Sequence, residues 1–257
     1  MSRLRAVVAY DGGGFHGFAA NDGVRTVAGS IEAALAKIAG THVSITCAGR
    51  TDKGVHARAQ VLSFDCPARV DPVDLRSSLN SMLGPEISFR EVVSARQSFD
   101  ARFSAIRRTY RYRVLNADTP DPFLANTSWY VRGDLEVDAM NLAGGSLVGT
   151  HDFSSFCRKR LVTIDGVETE ADPTRVIRRL EWVRSDEEIV DMWVTANAFC
   201  HQMVRSIAGT LVEVGRGSRT AASLPDVLAA RDRRSAGPVA PARGLTLWQV
   251  DYEAGAF

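Results

Sequence analysis

Lysine is nearly missing from this chain: of 31 basic side chains only Lys37, Lys53 and Lys159 are lysines, and the rest are arginine. Two readings of that stand side by side: codon bias in a GC-rich genome, and placement for phosphate, which a planar guanidinium fork matches better than an ammonium does. Charge of one sign is not in excess either. A net charge of +1 and a pI of about 7.7 argue against a surface coated in positive charge, for which a pI above about 9 is usual. A local basic face remains open. Cysteine is sparse. Cys47, Cys66, Cys157 and Cys200 form no CxxC pair and no zinc spacing, so a metal ribbon or redox motif is excluded. They are expected as reduced thiols of a cytoplasmic protein. No apolar run reaches the roughly 18 residues of a membrane-spanning helix, and the short apolar run before the first glycine turn does not read as a signal peptide. What is present, 45% hydrophobic and 24% charged residues in 257, is the composition of a soluble globular protein of one large or two ordinary domains.

The order of elements is more informative. Arg3–Tyr10 reads as a strand, and Val27, Ile31, Leu35 and Ile38 recur at helical spacing behind a Thr26 cap, with Gly40 past the end. Val43–Cys47 and Gln60–Cys66 read as strands, Asp71-Pro72 opens a helix to about Leu83, and Ile87–Val93 is a further strand. The second half repeats this order. Arg107–Asn116 alternates, with Tyr110, Tyr112 and Val114 on one face and Arg111 and Arg113 on the other. A helix over Val137–Leu147, a hairpin of Arg175–Arg184 and Ile189–Ala196, a helix from Met203 to Gly215, a short helix over Ser223–Ala230 and a strand Leu245–Tyr252 follow. The expected fold is α+β: two ferredoxin-like β-α-β-β-α-β halves, residues 1–105 and 106–257, forming a continuous antiparallel sheet with a central cleft. Segments 11–25, 118–131 and 154–173 are long for loops, and long loops are often functional.

Asp52 lies in "CAGRTDKGVHARAQVLSFD", between two strand-like runs and flanked by Arg50 and Lys53. A hairpin turn needs no such cations. Three readings stay open on these residues. A phosphoryl-accepting aspartate would want a second carboxylate for Mg²⁺, and none stands at i ± 2. An Asx-turn closed by Thr51 and Asp52 is the purely structural reading. The third is a nucleophile or base, since neighbouring cations favour an ionised carboxylate. The glycine-rich "YDGGGFHGF" lacks the Lys-Ser/Thr of a phosphate loop and is expected to be a turn that approaches another backbone closely. Arg102, Arg107, Arg108, Arg111 and Arg113 crowd one segment, and Arg158, Lys159 and Arg160 another, as phosphate contacts would. Tyr110, between Arg108 and Arg111, suits base stacking worth about 1–3 kcal/mol per base, or else the core. His151-Asp152 has no partner motif such as GxSxG and is expected to order its loop, and His201 to donate a structural hydrogen bond. Arg205, beside Met203 and Ile207, is expected to be partly buried and to need an acid from elsewhere in the fold.

Together "YDGGGFHGF", "AGRTDKGVHARAQVLSF", "FDARFSAIRRTYRYRV", "LVGTHDFSSF", "ANAFCHQMVRSIAGTLVEVGRG" and "APARGLTLWQVDY" resemble, in order and over essentially the whole chain, the TruA-type tRNA pseudouridine synthases. The resemblance implies that Asp52 is the catalytic aspartate, that Arg205 pairs with it, and that Tyr110 stacks on the flipped base and helps remove the C5 proton. It implies that Arg50 wedges into the space that the base leaves, and that Arg58, Arg108 and Arg158 contact RNA. Flipping costs a few kcal/mol, which these contacts would offset. It further implies no cofactor and no metal, a cytoplasmic homodimer that does not engage membranes, and tRNA as partner, modified in the anticodon arm at positions 38 to 40. This chain departs from the pattern at Lys53, where a small residue is usual, and in "AANDG" after Phe18, where Trp-Gln is usual. Asp100 and Gln202 also stand where histidines are usual. The rivals are a catalytically silent RNA-binding protein of the same fold and a synthase acting at other tRNA positions.

Overall fold

The computed structural model describes residues 1–159, 161–164 and 166–257. They fall into two compact units, Met1–Arg108 with Thr246–Phe257, and Thr109–Leu245. The sequence placed the boundary at 105/106 and the closing strand in the second half. The elements of the first stretch are β1 (Ser2–Tyr10), α1 (Val27–Ala39), β2 (Thr46–Cys47), β3 (His56–Cys66), α2 (Pro72–Leu83), β4 (Ile87–Ser94) and β5 (Ala105–Leu115). There follow β6 (Trp129–Tyr130), α3 (Val137–Gly145), β7 (Gly149–Asp152), β8 (Leu161–Ile164), β9 (Val167–Glu170), β10 (Thr174–Arg184), β11 (Ile189–Ala196), α4 (Met203–Gly215), α5 (Leu224–Ala229) and β12 (Leu245–Tyr252). The fold is α+β, and its strand pairings are mostly antiparallel.

In the first unit the strand order is β4-β1-β3-β12, with β2 added to β3. The helices form where expected because their end signals are local. Thr26 accepts from the Gly29 N–H and Gly40 takes a left-handed conformation past α1, while Asp71 accepts from Val73 and Asp74 at the start of α2. Leu4, Ala6, Val8, Ile31, Leu35, Leu75 and Leu79 are at most 1% exposed; each of the leucine, isoleucine and valine side chains contributes about 1.5–3 kcal/mol. A second cluster of Ala48, Val61, Phe99 and Ala101 packs with Val7, Val250 and Tyr252. Among the described residues, pairings of β12 and β6 depart from the expected antiparallel sheet. β12 runs parallel to β3, and β6 parallel to β5, which the long connections before β12 and β6 permit.

The second unit has the order β5-β11-β10-β7, with β6 beside β5. Tyr112, Trp182, Met192, Met203, Ile207 and Leu211 fill its core. The segment expected as one long loop, 154–173, contains a 3₁₀ turn at Ser154–Phe156 and the β8-β9 hairpin. Arg160 lies outside the described residues.

Candidate active site

The chain leaves β2 at Ala48, whose N–H still donates to Val61 O at 2.9 Å. It re-enters the sheet at β3 after the turn Asp52-Lys53-Gly54-Val55, closed by a Val55 N–H bond to Asp52 O of 3.1 Å. Gly54 has φ +79°, the conformation that a type II turn demands at its third residue. Asp52 thus occupies the first position of a tight turn, half-buried, while Thr51 is buried and Arg50 exposed. The glycine-rich loop after β1 packs backbone to backbone on this turn. A Cβ on Gly12 would sit 2.0 Å from Val55 O, and one on Gly17 would be 3.2 Å from Thr51 O. The expectation of a close-approach turn rather than a phosphate loop holds.

Side chains behind the turn fix it further. Gln60 Nε2 donates to Gly49 O at 2.6 Å, and Gly49 N–H donates to Gln60 Oε1 at 3.3 Å. The Tyr10 hydroxyl meets Thr51 Oγ1 at 2.8 Å and accepts from Gln60 Nε2 at 3.4 Å. Gly12 N–H donates to His56 Nδ1 at 3.1 Å. Sequence reasoning missed Tyr10 and Gln60, and named Thr51 only as closing an Asx-turn with Asp52. The available signal was an amide side chain at the head of the apolar run "VLSF".

Of the other expected residues in the first unit, Arg58 is exposed, with its guanidinium 4.3 Å from the centre of the Trp248 ring. Arg108 is turned onto main chain. Its Nε and Nη2 donate to Ala48 O at 3.2 and 2.9 Å, Nη1 to Ala105 O at 3.1 Å, and Nη2 also to Arg102 O at 2.7 Å. It therefore anchors the start of the Asp52 loop. Three of the basic side chains read as phosphate-directed are engaged by acids of this chain. Arg107 pairs with Asp251 at 3.2 Å. Arg113 forks onto Asp191 at 2.9 Å through both Nε and Nη2, a hydrogen bond that raises its pKa despite burial. Lys159 pairs with Glu170 at 2.7 Å.

In the second unit three expected residues attach to one segment, 199–205. The Tyr110 ring, 7% exposed, stands edge-on to Phe199 with centroids 5.1 Å apart. Arg158, its side chain exposed, donates its N–H to His201 O at 3.0 Å. Arg205, half-buried in the first turn of α4, donates Nε to Ala240 O at 2.8 Å and accepts the Ala240 N–H at 3.1 Å. Residue 209 must be glycine there, since a Cβ would lie 1.8 Å from Pro238 O. Tyr112 is core: its hydroxyl donates to Pro241 O at 2.9 Å, and burial pushes its pKa up against the pull of Arg205 and Arg243. Asp152 orders its loop as expected, accepting from Ser154 N–H and Oγ at 2.9 and 2.6 Å.

One expectation is overturned. Cys157 and Cys200 form a disulfide, Cα atoms 5.7 Å apart, instead of remaining reduced. The 43 residues between them carry no spacing signal, and the pairing arises because the Arg158–His201 contact brings the two segments together. Cys47 and Cys66 are free and buried. Among the described residues no group of three or more His, Cys, Asp or Glu could hold a metal ion, and no helix is long and apolar enough to cross a membrane.

A family model described as tRNA pseudouridine synthase matches residues 6–104 and 143–253. The tRNA pseudouridine synthase A of Brevibacillus brevis is 44% identical over 255 residues, 98% of this chain and 100% of that one. The chain belongs to the tRNA pseudouridine synthase family. Its relatives under the same name in Geobacillus kaustophilus and Rhizobium leguminosarum are each 40% identical and cover 98% of this chain and 95% and 92% of their own. The protein is accordingly an isomerase of the pseudouridine synthase type.

Proposed function

We propose that the protein converts uridine to pseudouridine in the anticodon arm of tRNA, at positions 38, 39 and 40, with Asp52 as nucleophile. The observation that carries this reading is the full-length similarity to synthases of that name, joined to a half-buried aspartate at the head of a turn held from behind. Asp52 attacks the flipped nucleotide, the C1′–N1 bond breaks, the uracil turns, and C5 bonds to C1′. N1 gains a proton and C5 loses one, so no oxidant or cofactor is required. Tyr110 stacks on the flipped base and assists loss of the C5 proton. Arg205 is the cationic partner of Asp52. Arg50 fills the space left by the base, and Arg58 and Arg158 hold the RNA, while Arg108, expected among these contacts, sets the start of the Asp52 loop. The protein acts as a homodimer in the cytoplasm.

The test is to incubate unmodified tRNA transcripts with the protein and map pseudouridine by carbodiimide adducts that stop reverse transcriptase. Stops at 38, 39 and 40 are the expected result. Stops elsewhere would assign the protein to another tRNA position, for which the "AANDG" loop is the first place to look.

A further inference from the structure

Gly49 is the point where the chain departs from the sheet. Ala48 still makes a main-chain bond to β3, but the next rung is supplied by a side chain. The Gln60 carboxamide takes both positions of a neighbouring peptide, donating to Gly49 O at 2.6 Å and accepting from Gly49 N–H at 3.3 Å. Its second N–H points to the Tyr10 oxygen at 3.4 Å, and the Tyr10 hydroxyl and Thr51 Oγ1 share a hydrogen bond of 2.8 Å. The main-chain carbonyl of Thr51 accepts from Phe18 N–H at 3.0 Å. Thr51 is therefore pinned through its side chain and its carbonyl, and Asp52 is the next residue. Gln60, Tyr10 and Thr51 are 0%, 4% and 7% exposed. A buried polar chain of this kind adds little net stability over an apolar packing of the same shape. Fully satisfied, it fixes one geometry.

We propose that Gln60, Tyr10 and Thr51 form a buried hydrogen-bond relay that positions Asp52, so that they act on the rate of the reaction through the aspartate without touching RNA. This rests on the reading of Asp52 as nucleophile. A misplacement of about 1 Å in a reacting group can cost as much as ~100-fold in rate, whereas contacts to tRNA elsewhere are untouched.

The experiment is single-turnover tritium release from [5-³H]uridine tRNA, together with the Kd for that tRNA and amide exchange over residues 49–52. Tyr10→Phe and Thr51→Val should each slow release about tenfold with Kd changed by less than about twofold. Thr51→Ser, which keeps the hydroxyl, should restore most of the rate. The Tyr10→Phe/Thr51→Val double variant should be little slower than either single one, because both break the same relay. Amides 49–52 should exchange faster in Tyr10→Phe. Wild-type rates in both single variants, multiplicative losses in the double, or a Thr51→Ser as slow as Thr51→Val would overturn the proposal. If the wild type itself releases no tritium, the reading of function fails. Amide exchange then still decides the relay, and unchanged protection in Tyr10→Phe rejects it.

Discussion

Arg58 and Arg108 have the same side chain in the same unit and opposite surroundings. Arg108 satisfies three main-chain carbonyls, at Ala48, Arg102 and Ala105, whereas Arg58 rests on the Trp248 ring with its face to solvent. Stranding carbonyls that are at most part-buried costs up to about 1–3 kcal/mol, and an exposed cation–π contact is worth about 0.5–1 kcal/mol. Arg108→Ala should therefore lower the urea midpoint clearly. Arg58→Ala should leave the unfolding free energy within about 1 kcal/mol of wild type and weaken tRNA binding instead; equal midpoints for the two variants would contradict this division. Cys47 gives a prediction in pH. Burial pushes its thiol up from 9.0 to about 11. The folded thiol thus holds its proton more tightly than the unfolded one, so its contribution is complete below the unfolded value and is lost as pH rises through the folded one. Urea denaturation between these pH values should show wild type losing on the order of 2 kcal/mol that Cys47→Ala does not lose, and parallel pH profiles would refute it.

At the scale of elements, stability of the candidate site depends on close backbone approach. Gly12→Ala places a methyl group against the Val55 carbonyl, with a built distance of 2.0 Å, and should destabilise by more than about 2 kcal/mol. Asp71→Ala removes only the cap of α2 and should cost about 1 kcal/mol. Thermal melts of both variants check this order, and a reversed order would contradict it. The same contrast explains what was legible. α1 and α2 were readable to the residue because Thr26, Gly40 and Asp71-Pro72 act within one turn of the helix. β2 was expected from Val43 but begins at Thr46, because the Ile45 N–H is taken by the Glu32 carboxylate at 3.1 Å instead of a strand. β3 begins at His56 rather than Gln60, because Ala57 pairs with Tyr10 and His56 with Thr246, partners that no local pattern announces.

At the scale of the whole molecule, composition excluded several classes but did not reveal the activity, and the near-neutral net charge of +1 hid arginines that are engaged with acids of this chain. The Cys157–Cys200 pairing and the assignment of Thr246–Phe257 to the first unit are tertiary facts, set by segments far apart in sequence. What the motifs did convey was the family, since their order spans the chain, and with it an aspartate whose turn the fold holds from behind. The central claim is that this aspartate does the chemistry, and the most direct test follows the hydrogen at C5. Wild type and Asp52→Ala are given tRNA carrying [5-³H]uridine, and released tritium is counted beside tRNA binding. The account predicts release by wild type and none above background by Asp52→Ala, with binding retained in both. Release by Asp52→Ala at the wild-type rate would contradict it.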